Sequence, residues 1–325
     1  PFGFTVPGGV IYRINNPANR SLTWELTKTK NIGMDFRLVN NRITGTFDVY
    51  WKKTEGLLDQ MVVNPFAVAI SPTVLGNTGE LTNRGLELSL TTVNIKSRDF
   101  SWRTLINAAF NKNKITKSYN ERSVTTGNAK IMEQNLQGYA AYAMFAYDYA
   151  GLNNMGDPQV KRADGTLITA PYVTSAEDII FTGTSQPKWS GGFSNMFRYK
   201  AFDLQVNMVF NAGHVTRRDV NQKYSGVNAS YSNFHKDFAD RWKVAGDELK
   251  TDIPSFVPNE NVSTSRRSVY YYILGNNNVI NASFIKIRDL TLSYRLPKAI
   301  LDRIHCNDLR VFGQRGNIMV WQASK

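Results

Sequence analysis

Apolar and polar residues alternate with a period of two over most regular stretches of this 325-residue chain. One such stretch runs from Lys30 to Val39, and another begins at Arg42, directly after the pair Asn40-Asn41. Asparagine tolerates a positive φ angle, which both central residues of a tight hairpin turn require. Because a period of two places successive side chains on opposite faces of a strand, the pattern predicts a hairpin with one apolar and one polar face.

The same alternation predicts three more strand pairs. They are 86–91 with 102–110, 189–197 with 202–210, and 283–295 with 309–317. In the last pair the apolar phase slips between Ile287 and Leu290. One extra residue in a strand reverses its phase, so we expect a β-bulge near Arg288-Asp289.

The connections between these strands alternate in length. Short periplasmic turns are expected at about 40–41, 96–99 and 200–201, with a modest one at 296–308. Long extracellular loops are expected at about 54–82, 113–187 and 213–282. Strands of about ten residues suffice to cross a bilayer at a tilt, and short turns opposite long loops are typical of outer-membrane barrels. We therefore predict an all-β fold, with residues 1–325 forming part of one transmembrane antiparallel β-barrel.

Two of the long loops exceed the length that a compact protein leaves without internal structure. Folded excursions are expected at Ala176–Phe181 or Phe234–Trp242, and further strands within 113–187. The start of the chain, Pro1 to Ala18, lacks a basic head followed by an apolar stretch, so we expect a processed or truncated chain.

The chain carries a net charge of +13 at pH 7. Such a charge favours an anionic partner, whether nucleic acid, an acidic substrate or lipopolysaccharide phosphate. No basic run is longer than two or three residues, so we expect the lysines and arginines to be scattered through turns and barrel interior, with no nucleic-acid partner. The single cysteine, Cys306, excludes an intrachain disulfide.

Ordered motifs along the chain resemble the SusC/RagA-type TonB-dependent transporters of Bacteroidota. Each motif is weak alone, but together they follow the family's order over nearly the whole sequence. They are Leu22-Thr-Trp-Glu25, Asn31-Ile-Gly-Met-Asp-Phe36, Asn83-Arg-Gly-Leu-Glu-Leu88, Gly151-Leu152 with Gly156, Pro187-Lys188 with Gly191-Gly192, Arg241-Trp242 with Gly246-Asp247, Ser283-Phe-Ile-Lys-Ile-Arg288, Leu292-Ser-Tyr-Arg-Leu-Pro297 and Arg310-Val311 with Gly316-Asn317.

The resemblance implies a 22-stranded barrel closed by an N-terminal plug and energised by TonB. It implies import of oligosaccharides or peptides together with a SusD-like surface lipoprotein that lids the barrel. This sequence resembles the C-terminal part of that barrel, so we expect the plug domain and the TonB contact to belong to a missing N-terminal region. Outer-membrane lipid and lipopolysaccharide are the remaining expected partners.

Catalytic chemistry is not predicted. His214, His235 and His305 have no metal-ligand spacing with one another or with a carboxylate, and no nucleophile, zinc or P-loop motif is present. Asp203 and Asp289 fall on polar strand positions, where a carboxylate facing the lumen is the ordinary expectation. We therefore expect neither an enzyme nor a cofactor, metal or catalytic site, and the sequence assigns no substrate-binding residue.

Two groups of side chains carry functional hypotheses. The polar strand phase is expected to face the lumen; it comprises Asp35, Arg37, Asp48, Glu87, Asn107, Asp203, Gln205 and Asn207. An interfacial aromatic girdle is expected from Trp51, Trp102, Trp189, Phe197 and Tyr294. Loop aromatics fit either ligand or partner contact or small loop cores; they are Tyr139, Tyr142, Phe145, Tyr147, Tyr149 and Tyr270-Tyr271-Tyr272.

Two other functions compete with import. One is a soluble or surface-anchored β-sandwich that binds glycans, which would be extracted without detergent. The other is a barrel component of a larger outer-membrane secretion or assembly complex, which copurification would reveal.

Overall fold

The structure, a computed structural model, describes residues 2–6, 9–13, 18–62, 73–118, 124–171, 174–226 and 234–324. Eight of its strands form one antiparallel sheet, in which they lie side by side in chain order. Their bounds are β3 Leu26–Leu38, β4 Ile43–Val62, β5 Thr73–Lys96, β6 Phe100–Ser118, β12 Trp189–Tyr199, β13 Phe202–Ala212, β16 Phe284–Arg295 and β17 Arg310–Gln322. Each strand pairs with its predecessor in this set, so the sheet is an up-and-down meander, and it is not closed.

A single meander is the arrangement of a partial barrel, and the β-sandwich alternative, which needs two packed sheets, is wrong. No helix in the described parts of the chain is long and apolar enough to span a membrane.

The four short connections lie where the alternation predicted turns. The first spans Val39–Arg42, where Asn40 and Asn41 have φ angles of 51° and 64° and the Arg42 N–H donates to the Val39 carbonyl at 3.0 Å. The second and third comprise residues 97–99 and 200–201. The fourth contains a short helix, α4 (Lys298–Arg303).

Strands extend well into two of the predicted long loops. The link predicted at 54–82 is strand up to Val62 and again from Thr73, and β6 continues to Ser118 inside the link predicted at 113–187. Apolar alternation stops earlier, but charged cross-strand pairs continue the ladder. The 24 residues of β5 extend roughly 80 Å at about 3.4 Å per residue, far more than a bilayer needs.

The predicted bulge is confirmed. Asn207 on β13 pairs with Asp289, whereas the next residue, Met208, pairs with Ile287, which leaves Arg288 unpaired. The unpaired residue keeps the apolar side chains of β16 on one face on both sides of the bulge.

The long connections contain short elements that fold into a separate layer, called the cap here (residues 124–171, 174–188, 213–226 and 234–283). Its strands are β7 Ala143–Tyr147, β8 Tyr149–Leu152, β9 Pro158–Lys161, β10 Leu167–Ile168, β11 Ile179–Thr184, β14 Val215–Arg217 and β15 Val279–Asn281. Its α-helices are α1 Gly127–Met132, α2 Glu260–Arg266 and α3 Tyr270–Ile273, with 3₁₀ turns at Ala176–Asp178, Lys236–Asp240, Asp247–Leu249 and Asn276–Asn278. The excursions predicted at 176–181 and 234–242 are thus a 3₁₀ turn with a strand and a 3₁₀ turn. A hairpin of β1 Phe2–Val6 and β2 Gly9–Arg13 precedes the sheet in sequence.

Candidate functional site: the polar sheet face and the cap

The eight residues predicted to line the lumen share one face of the sheet. Directly paired residues of an antiparallel sheet point to the same side. Asp48 pairs with Glu87 and Ser89 with Asn107, and the remaining registers place the others on the same side. The opposite face carries the apolar phase, for example the row in which Phe47 pairs with Leu88.

Hydrogen bonds between side chains order this polar face across three strands. The Asn207 amide donates to the Asp289 carboxylate at 2.6 Å, and its Oδ1 lies 2.5 Å from the Ser194 hydroxyl. The Gln205 amide donates to the same Oδ1 at 3.2 Å. Each of these polar groups is partly buried and satisfied by a neighbour, which holds the lining in one arrangement.

Glycine in the Asn83–Leu88 motif makes room for an aromatic ring on the polar face. A Cβ on Gly85 would lie 2.5 Å from the Tyr50 hydroxyl oxygen, which is hydrogen-bonded to Asn111 Oδ1 at 3.2 Å. Any side chain at position 85 would displace the Tyr50 ring. The motif is therefore a packing feature of the sheet.

The predicted girdle residues lie on the apolar face at two levels. Trp102 stacks on Phe197 near the short turns, with ring centroids 5.6 Å apart. Trp189 packs against Phe110 near the opposite ends of the strands, at 4.7 Å. Amphipathic rings at both edges of an apolar band are typical of the two membrane interfaces.

The cap lies on the polar face at the strand ends opposite the short turns. Its backbone bonds to β6 there, since the Ile115 N–H donates to the Tyr139 carbonyl at 2.8 Å. Ile115 pairs with Leu81 and Asn113 with Asn83, positions that belong to the polar face. A cavity of about 370 Å³ lies between the strands and the cap, and both Leu81 and Ile115 line it together with Tyr142.

Most of the loop aromatics form the cores of the cap, which decides between the two hypotheses raised for them. One core surrounds Phe145, Tyr147 and Tyr271, and the other surrounds Tyr224 and Tyr272. Phe145 and Tyr272 are fully buried. Tyr139 and Tyr149 pack against these cores, so ligand contact is wrong for the buried members; Tyr142 and Tyr270 are exposed.

Burial also determines the chemistry of one core tyrosine. It raises the pKa of Tyr271 to about 12, with the Tyr147 and Asp178 charges acting in the same direction. The hydroxyl therefore stays protonated at neutral pH and donates to the Ala170 carbonyl at 3.0 Å. Its role is structural.

A buried ion pair joins distant segments of the cap, and the sequence analysis did not predict it. Asp157 Oδ1 accepts from Arg266 at 2.7 Å and from Arg267 at 3.2 Å, and the side chains of Asp157 and Arg267 are completely buried. The Arg267 guanidinium also donates to the Ser255 hydroxyl and the Tyr224 carbonyl, each at 2.8 Å. Burial lowers the pKa of Arg267 while the Asp157 charge opposes this, so the arginine stays charged.

The motif Arg241-Trp242 with Gly246-Asp247 also connects separate segments of the cap. Asp247 Oδ2 accepts from the backbone N–H groups of Lys243 and Val244 at 3.2 and 3.1 Å, and these bonds hold the pKa of Asp247 below its usual value. The Trp242 ring covers Gly156, where a Cβ would lie 2.5 Å from the indole and where φ is +71°. A glycine is therefore required immediately before Asp157.

The three histidines and the cysteine named in the sequence analysis do not come together in one site. His235 Nδ1 lies 2.8 Å from Asp237 Oδ1, and Cys306 is exposed in the turn after α4. Within the described ranges, no group of three or more His, Cys, Asp or Glu residues is placed to hold a metal ion.

Some of the basic residues lie close together, whereas the sequence analysis expected them to be scattered through turns and the barrel interior. Seven lysine and arginine residues on β3, β4, β5 and β6 line one groove of about 940 Å³. These residues come from four strands and do not form one run in the sequence. The register of the four strands brings them together.

A meander of long strands with one apolar face, one polar face, and short turns opposite long folded connections is a segment of an outer-membrane β-barrel. The chain matches the family model "TonB dependent receptor-like, beta-barrel" over residues 2–314. It therefore belongs to the TonB-dependent receptor β-barrel family, whose members here are receptors and transporters and not enzymes.

Named relatives agree with this membership. TonB-dependent receptor P3 of Formosa agariphila is 27% identical over 321 residues, covering 94% of this chain and 30% of the relative. TonB-dependent receptor SusC of Bacteroides thetaiotaomicron is 29% identical over 228 residues, covering 64% and 21%. The chain thus spans less than a third of the curated relatives it matches.

Solved structures show the same fold. The structure titled "Structure of the RagAB peptide transporter" superposes with a TM-score of 0.76 at 20% identity, over 98% of this chain and 34% of that one. The same importer in its "open-open" state gives a TM-score of 0.76 over 99% of this chain. At this identity the likeness is one of fold.

Proposed function

We propose that the protein to which this chain belongs imports oligosaccharides or peptides across the outer membrane by a TonB-dependent mechanism. The observation that carries the proposal is the cap packed on the polar face, with a cavity between them at the loop end of the strands. A solute entering a barrel from that end meets the cavity first and the polar face afterwards. Family membership and the relatives named SusC and RagAB support the same function.

The polar face suits a hydrogen-bonding solute better than a strongly acidic one. It interleaves carboxylates such as Asp48 and Glu87 with guanidinium groups such as Arg37 and Arg103 and with amides such as Asn107. Sugars and peptides present the donors and acceptors that such a surface satisfies. A polyanionic glycan would meet repulsion at each carboxylate.

The proposed orientation puts the polar face in the lumen, the apolar face in lipid, the turns in the periplasm and the cap outside the cell. A SusD-like surface lipoprotein is the proposed partner at the cap, and TonB acts through other parts of the full-length protein. Spin labels at Leu204 and Asn207 test the faces. Lipid-borne quenchers should reach position 204 and spare position 207. The reverse result would mean that the polar face, and not the apolar face, contacts lipid.

Uptake tests the function itself. A deletion strain complemented with the full-length gene is compared for accumulation of labelled oligosaccharides and of labelled peptides, with and without TonB. Tyr142→Ala, at the cavity, should reduce uptake severalfold, while Tyr270→Ala, which is also exposed but does not line the cavity, should not. Uptake that is unchanged in the deletion strain or without TonB contradicts the proposed function. A tagged protein that copurifies with no surface lipoprotein contradicts the proposed partner.

A further inference from the structure

The groove with basic walls lies on the apolar face of the sheet, not on the polar one. Lys30 pairs with Trp51, Trp51 with Arg84, and Arg84 with Lys112, which makes one row across β3, β4, β5 and β6. The next row contains Lys114. A soluble substrate inside the barrel cannot reach this side of the sheet.

These rows begin where the apolar band ends. Two residues from the basic row on each strand, toward the short turns, lies an apolar row across the same four strands, comprising Ile32, Val49, Leu86 and Phe110. Two strand residues cover about 7 Å, so the cations stand one step beyond the hydrocarbon-facing surface. They lie on the side of the cap, away from the short turns.

Ion pairs neutralise only the outer part of this cluster. Glu55 binds Lys28 at 3.0 Å and Lys53 at 2.8 Å, and Glu80 binds Lys53 at 2.9 Å and Lys117 at 2.8 Å. Together these five residues form a charged ladder across four strands.

Four cations of the groove on the apolar face remain unpaired, three in the row that adjoins the apolar band and Lys114 in the next row. Lys30, Arg84, Lys112 and Lys114 are exposed, and none of them takes part in an ion pair within the described parts of the chain. Among the described residues, no carboxylate lines the groove they share. A concentration of like charge without a counter-ion attracts an anion.

We propose that this groove binds the phosphorylated headgroup of a glycolipid in the outer leaflet, which anchors the barrel laterally in the membrane. The inference rests on the proposed orientation, with the cap outside the cell. Lysine and arginine lay their aliphatic stems along apolar surface and raise their charges to the interface. The Arg84 guanidinium offers a fork for phosphate, and the half-exposed Trp51 indole occupies the interface beside it.

Lipid A binding by the full-length transporter, purified in mild detergent, tests the site by native mass spectrometry. Arg84→Gln with Lys112→Gln should weaken binding of diphosphorylated lipid A at least tenfold, and Lys30→Gln with Lys114→Gln should act similarly. Arg37→Gln with Arg103→Gln is the matched control, because it removes two positive charges from β3 and β6, the strands that carry Lys30 and Lys114, on the opposite face. The control should bind within twofold of the wild type.

The chemistry of the ligand is tested with two further probes. Lipid A stripped of its phosphates should bind the wild type at least tenfold more weakly. Inorganic phosphate at millimolar concentration should displace little lipid. Equal binding of both lipid A forms, or equal losses in test and control variants, overturns the proposal, and a groove filled as tightly by phosphate alone is a soluble-anion site instead.

A separate readout distinguishes failure of this site from failure of the orientation. The cysteine of the Lys112→Cys variant should react with a membrane-impermeant maleimide in intact cells, and bound lipid should slow that reaction. Reaction only after the membrane is opened would overturn the orientation and this inference together. Reaction in intact cells with unchanged lipid binding in every variant would overturn the lipid site alone.

Discussion

Asp157→Asn tests whether the buried ion pair holds the cap together. The substitution keeps the size of the side chain and one acceptor oxygen, but leaves two guanidinium groups, 2.7 and 3.2 Å from that oxygen, without a counter-charge. A unit-charge pair at about 4 Å is worth about 4 kcal/mol at an effective dielectric constant of about 20, and breaking a buried pair costs about 3–5 kcal/mol. We expect the free energy of cap opening to fall by that amount.

Hydrogen exchange of the full-length protein measures this opening. A loss of about 3–5 kcal/mol raises the open fraction between about a hundredfold and a few thousandfold, so amides of peptides near 153–157 and 263–273 should exchange faster by that factor. Amides of the strand ladder 202–212 should keep their protection, because the pair lies entirely within the cap.

Asp164→Asn is the matched control, because Asp164 is an exposed aspartate 3.6 Å from Arg162. Exposed pairs contribute about 0–1 kcal/mol, so this change should move exchange less than about fivefold. Equal effects of the two substitutions would refute the argument from burial. The double variant with Arg267→Met should lose less than the sum of the single losses, since removal of one partner already abolishes the pair.

Three further outcomes follow from the same contacts. Tyr272→Ala should destabilise the cap by about 3–5 kcal/mol in the same exchange assay because the ring is fully buried, whereas its exposed neighbour Tyr270→Ala should stay within about 0.5 kcal/mol. Leu204→Arg should destabilise insertion into lipid vesicles by about 2–4 kcal/mol if the residue lies near mid-bilayer, whereas Gln205→Arg, on the opposite face, should insert normally; equal costs would contradict the two-faced sheet. The lowered pKa of Asp247 predicts that its contribution to stability is present above its ordinary value of 3.8 and is lost as pH falls through the folded value, so exchange near 243–250, corrected for intrinsic rates, should rise in acid, and Asp247→Asn should remove that pH dependence.

Local pattern was sufficient for the sheet and its turns. The period of two assigned each residue to a face, as the common side of Asp48, Glu87 and Asn107 illustrates. Asparagine at 40 and 41 placed a hairpin, and the phase slip located the bulge at Arg288. Each of these depends on residues within a few positions of one another, which is why a single strand or turn carries enough information.

The strand ends and the cap needed the tertiary structure. From Lys52 to Glu55 the side chains on both faces are polar, and beyond them polar and apolar residues no longer alternate, while pairing to a neighbouring strand continues β4 to Val62. The aromatics of the cap looked the same in sequence whether they bound ligand or formed a core. Only packing between segments more than a hundred residues apart, such as Tyr147 on Tyr271, made the distinction.

The sequence by itself therefore determined a two-faced antiparallel barrel segment and, through its ordered motifs, the family. The tertiary structure alone decided which charges meet. Asp157 and Arg267 lie 110 positions apart, and the four unpaired cations of the groove come from three strands whose register brings them together. Alternation is a property of each strand taken alone, whereas a charged pair or groove depends on how different strands are aligned, and no local pattern records that alignment.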